Sequence, residues 1–155
     1  MLYYITELSK YIITFLMILY VFECILNVVK KNEKKKTGIY IRQNIEMFFI
    51  QFFAYMTLSL RTGKIDYLFF YAFLQIVIFS SIILYTMIYP GIDRCLLNNM
   101  SLLISIGFTI LTRLDFQKAF KQFGIVTVSI AITMVVPYLM KKFRFMANLK
   151  WIYTA

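Results

Sequence analysis

Residues Tyr67–Tyr89 read YLFFYAFLQIVIFSSIILYTMIY, 23 residues without a charged side chain. A helix that crosses a bilayer needs about 20 mostly apolar residues, because each adds about 1.5 Å toward a hydrocarbon core roughly 30 Å thick. This stretch meets that requirement unaided. Tyr67, Tyr71, Tyr85 and Tyr89 lie toward its ends, where an apolar ring with a polar tip suits the membrane–water boundary. Turn chemistry brackets it. Thr62-Gly63 precedes it, and Pro90-Gly91 follows as a proline just past a helix should.

Working outward, four more segments come close to spanning length: roughly Tyr11–Val29, Ile45–Leu60, Leu96–Thr112 and Phe123–Met140. The weakest is Ile45–Leu60, which is short and carries Glu46 and Gln51. It reads either as a fifth span or as an oblique helix at the interface. Pro137 lies inside the last segment and either kinks that helix or ends it. The expected fold is therefore an all-α integral membrane bundle of about five transmembrane helices. The short connections make sequential helices antiparallel.

Composition points the same way. The chain is 61% hydrophobic and 15% charged, with mean hydropathy +0.75. A soluble domain is about a quarter charged, so a water-exposed surface would be hard to build here. Histidine is absent, which removes the commonest general base and metal ligand. No metal and no cofactor is expected. Cys24 and Cys95 fall in or beside apolar segments and read as free thiols. The net charge of +10 fits topology and anionic headgroups better than nucleic acid. The opening MLYYITELSK lacks the basic region and cleavage site of a removable signal peptide.

Charge sets orientation. Lys30, Lys31, Lys34, Lys35, Lys36, Arg42, Arg94, Lys141, Lys142, Arg144 and Lys150 fall on one side of the expected bundle. Lys10, Arg61, Lys64, Arg113, Lys118 and Lys121 fall on the other. The positive-inside rule puts the first group in the cytoplasm, with the N-terminus outside and the C-terminus inside. The alternation holds only if the second segment spans.

From Arg94 the chain runs RCLLNNMSLLISIGFTILTRLDFQKAFKQF, then an apolar span, a basic turn and LKWIY. In order and spacing, Ser105-Ile106-Gly107, Leu111-Thr112-Arg113-Leu114-Asp115 and Lys121-Gln122 resemble the opening of the FtsW/RodA/SpoVE (SEDS) family. The resemblance covers about residues 94–153. It implies a bacterial plasma-membrane protein of peptidoglycan synthesis in cell division or cell-shape maintenance. Such a protein polymerises lipid II, or in another view flips it, usually with a penicillin-binding protein. Residues 1–92 would be an extra three-helix membrane segment, and 93–155 the first two core helices, cut off before the third. The family's catalytic aspartate belongs to a large later loop, so no residue here inherits it, Asp115 included.

Several residues stand out chemically. Arg113, Asp115, Lys118, Lys121 and Gln122 form an outer cluster that is a candidate for a substrate or lipid headgroup. The competing reading is interfacial anchoring, with Arg113 and Asp115 weakly paired. Glu23 is an acid within an apolar segment and so a functional candidate. It is also placed to face Asn27 or to pair with the basic loop. Ser101, Ser105 and Thr109 recur every four residues on one helix face, with Thr127 and Ala131 as the expected packing partners. Two further readings compete with the SEDS one: a small stand-alone membrane adaptor or assembly protein, and a small transporter that uses Glu23.

Overall fold

The computed structural model describes residues 2–29, 33–89 and 91–142, with side chains for 4–29, 36–89 and 91–136. Five helices follow one another: α1 (Leu2–Val29), α2 (Glu33–Thr62), α3 (Asp66–Ile88), α4 (Arg94–Leu114) and α5 (Phe116–Lys142). Cross-helix pairs show the topology. Glu23 meets Arg42 and Gln51 meets Gln75, so α1/α2 and α2/α3 are antiparallel. Gln43 meets Asn98 and Tyr55 meets Thr112, so α2 and α4 are parallel. One end of the bundle carries the start of α2 and is called the basic end. The other carries the α2–α3 and α4–α5 turns and is called the turn end.

Polarity is inverted relative to a water-soluble domain. The buried residues include Gln43, Gln51, Gln75, Asn98, Ser101 and Ser105. Facing outward are Phe15, Phe22, Phe69, Phe73, Leu103 and Ile132. Solvating such a surface in water would be costly, whereas lipid tails solvate it at no cost. The chain is an all-helical membrane protein whose outer faces contact lipid. By length and composition four helices can cross a bilayer: Tyr4–Val29, Asp66–Ile88, Arg94–Leu114 and Phe116–Val136.

Helix α2 fails that hydropathy criterion, and its packing explains why. It lies against α1, α3 and α4. Its buried side chains are Ile39, Gln43, Met47, Ile50, Gln51, Tyr55 and Ser59, which follow a three- and four-residue rhythm along one face. Gln43, Gln51 and Tyr55 of that face meet other helices rather than lipid, while Ser59 donates to Lys64 O in the following turn at 2.9 Å. Gln51 and Gln75 share a hydrogen bond across α2 and α3, and the buried Tyr55 and Thr112 hydroxyls lie 3.1 Å apart across α2 and α4.

The helices outrun the segments read from the sequence. Helix α1 begins at Leu2 rather than near Tyr11, and α2 begins at Glu33 rather than near Ile45. The stretch taken for a lysine-rich loop is therefore largely the first turns of α2. Likewise α5 begins at Phe116, so the expected outer loop Arg113–Lys121 collapses to the single residue Asp115. Asp115 closes α4 with its backbone N–H on Leu111 O at 2.9 Å. Its carboxylate opens α5 by accepting from Gln117 N at 3.0 Å and Lys118 N at 3.2 Å, as an N-cap does. Gly63 ends α2 at φ 69°, a conformation that favours glycine. Helix α3 ends at Ile88, while Pro90 lies outside the described residues. Helix α5 runs through position 137, so Pro137 does not end it.

Near the turn end the core is aromatic. Phe70 of α3 lies 6.3 Å from Phe108 of α4 and 5.6 Å from both Phe116 and Phe123 of α5, all edge-on. Such T-shaped pairs add about 0.5–1.5 kcal/mol each beyond their buried area. At the opposite end of α5, the Tyr85 and Thr133 hydroxyls meet and Tyr89 donates to Met134 O at 3.3 Å. Tyr71, expected near the boundary, is buried instead and donates to Phe48 O.

Candidate functional site

At the basic end α1, α2 and α4 converge on a polar network. Tyr20 donates to Asn99 Oδ1 at 3.0 Å, and the Cys24 thiol donates to the same oxygen at 3.3 Å. Gln43 Nε2 donates to Cys24 Sγ at 3.4 Å, and Asn98 Nδ2 donates to Gln43 Oε1 at 3.1 Å. The carboxamide of Asn99 also reaches Cys95 Sγ at 3.9 Å. The two cysteines are free thiols, as the sequence suggested. Though far apart in sequence, they flank a single side chain.

Glu23 sits beside this network with its side chain 8% exposed. Its carboxylate accepts from Arg42 Nε at 2.7 Å. The pairing with the basic segment foreseen for Glu23 is observed, since Arg42 closes that segment. Glu46, one turn beyond Arg42, lies in the field of both groups.

At the turn end the outer cluster divides. Asp115 pairs with Lys118 at 3.4 Å and not with Arg113. Its carboxyl is held below its ordinary value chiefly by the backbone N–H of Lys118. Asp115 and Lys118 are therefore occupied in starting α5. Lys121 and Gln122 are exposed on the next turn of that helix. Arg113 faces away from them, toward α1 and α2. There it lines a half-open cavity of about 640 Å³ together with Lys10 and Arg61. The structure thus separates Arg113 from the residues it was grouped with and joins it to two cations distant in sequence. Among the described residues no cluster of three acidic, Cys or His side chains could hold a metal ion.

The small-residue face of α4 also finds a different partner. Ser101 and Ser105 are buried, whereas Ala131 is exposed. Asn98 and Thr112 lie on the same face as the serines, and both bond to α2. Helix α2 bonds to this face at Asn98 and Thr112, while of the expected α5 partners Thr127 is half-buried and Ala131 exposed. Sequence reading missed Gln43, Asn98 and Asn99 as a network. The available signal was the four-residue spacing of Gln43, Met47, Gln51, Tyr55 and Ser59 on α2.

No protein-family model, curated protein or solved structure matches this chain.

Proposed function

We propose that the chain crosses a bacterial plasma membrane five times, with its N-terminus outside and its basic end in the cytoplasm. We propose further that it serves peptidoglycan synthesis as the N-terminal, non-catalytic membrane portion of a FtsW/RodA/SpoVE-like protein. Helices α1–α3 form the added segment within residues 1–92, and α4 and α5 correspond to the first two core helices. Lipid II and a penicillin-binding protein are the partners of this reading.

The observation that carries the proposal is the α4–Asp115–α5 hairpin. The residues that resemble the family opening form one continuous unit there. Ser105 is buried at the packing face, Arg113 and Asp115 mark the turn, and Lys121-Gln122 fall on the second turn of α5. The alternating helix directions support the orientation, because the charge asymmetry requires each helix to change sides. A polar α2 is compatible with a membrane when neighbouring helices satisfy its polar groups. Its hydrogen bonds to α4 would also fasten the added segment to the core helices.

Depleting the protein is expected to disturb cell shape or septation and to lower incorporation of a fluorescent D-amino acid into the wall. Normal shape with undiminished incorporation would overturn the proposal.

A further inference from the structure

The cavity at the turn end has a built-in polarity along the bundle axis. It lies between α1, α2 and α4. On each helix a cation stands nearer the turn end, and a less polar residue lies about one turn deeper. On α1 the order is Lys10 then Ile13; on α2 it is Arg61, Leu58 and Ala54; on α4 it is Arg113 then Thr109. One turn is about 5.4 Å. Tyr55 and Thr112 lie level across α2 and α4, so Arg113 stands beside Thr57, more than a turn deeper than Arg61; the cations line the outer part of the cavity and Ile13, Ala54 and Thr109 its inner end. An anionic amphiphile has the matching order, with charge at the interface and hydrocarbon below.

The charges of the outer part do not cancel. Glu7 pairs with Lys10 at 2.5 Å. Arg61 and Arg113 are exposed and have no acidic partner among the described residues. Guanidinium groups bind phosphate in a bidentate, directional way. Thr6, Ser9, Thr57 and Thr109 also line the cavity, where the hydroxyls of the last three donate to Ile5 O, Phe53 O and Ser105 O of their own helices. About 640 Å³ falls within the usual range of small-ligand sites.

We propose that this cavity is a binding site for an anionic phospholipid, with the phosphate held between Arg61 and Arg113 and an acyl chain lying over Ile13 and Ala54. The inference rests on the chain being a membrane bundle and not on the peptidoglycan reading. Failure of either leaves the other standing, because this test uses purified protein and the other uses cells.

The test is retention of phosphatidylglycerol by the purified full chain in neutral detergent, read by native mass spectrometry against phosphatidylcholine. Wild type should retain phosphatidylglycerol selectively. The double variant Arg61→Gln, Arg113→Gln should lose about tenfold or more in apparent affinity, as expected when charge-assisted bonds are removed. Lys118→Gln with Lys121→Gln removes the same charge outside the cavity and should change little. Ala54→Trp fills the inner end without altering charge and should also expel the lipid. It keeps the proposal testable if the arginine variant does not fold. Equal losses from both charge pairs would mean non-specific surface attraction and overturn the site. Retention undiminished by Ala54→Trp would overturn it too. Competition by soluble glycerol 3-phosphate as effective as by the lipid would assign the site to free phosphate and overturn the lipid.

Discussion

The two ends of the bundle are both rich in polar side chains, yet they use them differently. At the basic end, Tyr20, Cys24, Gln43, Asn98 and Asn99 are engaged with one another, and Glu23 is engaged with Arg42. At the turn end Arg61 and Arg113 border a cavity and have no acidic partner among the described residues. Groups that satisfy one another hold helices together, and removing one leaves its partner stranded. Groups facing an opening can be removed at little cost to the fold, because water or a ligand already serves them.

The largest effect should come from Arg42→Gln. It removes the cation from a side chain that is 8% exposed and leaves Glu23 and Glu46 in each other's field. Breaking a buried pair from one side costs about 3 kcal/mol, to be read as lost resistance to denaturant in mixed micelles. Glu23→Gln should cost less, because the stranded Arg42 side chain is 57% exposed and Glu46 stays nearby. An equal or reversed order would break the assignment of the basic end as a structural lock.

Asn98→Ala comes next. It deprives Gln43 Oε1 of the donor seen at 3.1 Å, in a buried setting where a stranded polar group costs about 1–3 kcal/mol. The same unfolding assay checks it, and a loss below about 0.5 kcal/mol would show that the network is not cohesive.

The smallest effect belongs to the turn end. The carboxyl of Asp115 is lowered in the folded chain, chiefly by the Lys118 backbone N–H. A group lowered by folding adds stability above its unfolded value, and that stability fades as pH falls through its folded value. Wild type should therefore show a small drop in melting temperature through the acidic carboxylate range that Asp115→Asn lacks. A pH response identical in the two proteins would remove the cap from the picture.

How much of this could be read beforehand differs from helix to helix. Helix α3 was legible almost to the residue, because most of its buried side chains are as apolar as its outward ones and an uncharged apolar run has one cheap explanation. Helix α2 was not, because Gln43, Gln51 and Tyr55 are polar for the sake of neighbours that no local window contains. The starts of α1 and α5 were hidden by Glu7, Lys10, Lys118 and Lys121, charges that read as loop but sit on helix turns. The pairing of Arg113 with Arg61 and Lys10 depends on three helices meeting and leaves no local trace. Asp115 was legible as an acid at a turn, while its cap required the backbone geometry.

Whether α2 crosses the bilayer as the polar helix of the bundle is the point on which both ends depend. Impermeant thiol labelling tests it in a Cys24→Ala, Cys95→Ala background that carries either Thr37→Cys at the start of α2 or Lys64→Cys just beyond its end. The expected result is that Lys64→Cys labels in intact cells, whereas Thr37→Cys labels only in inverted vesicles. Labelling of both positions from the same side would contradict a spanning α2.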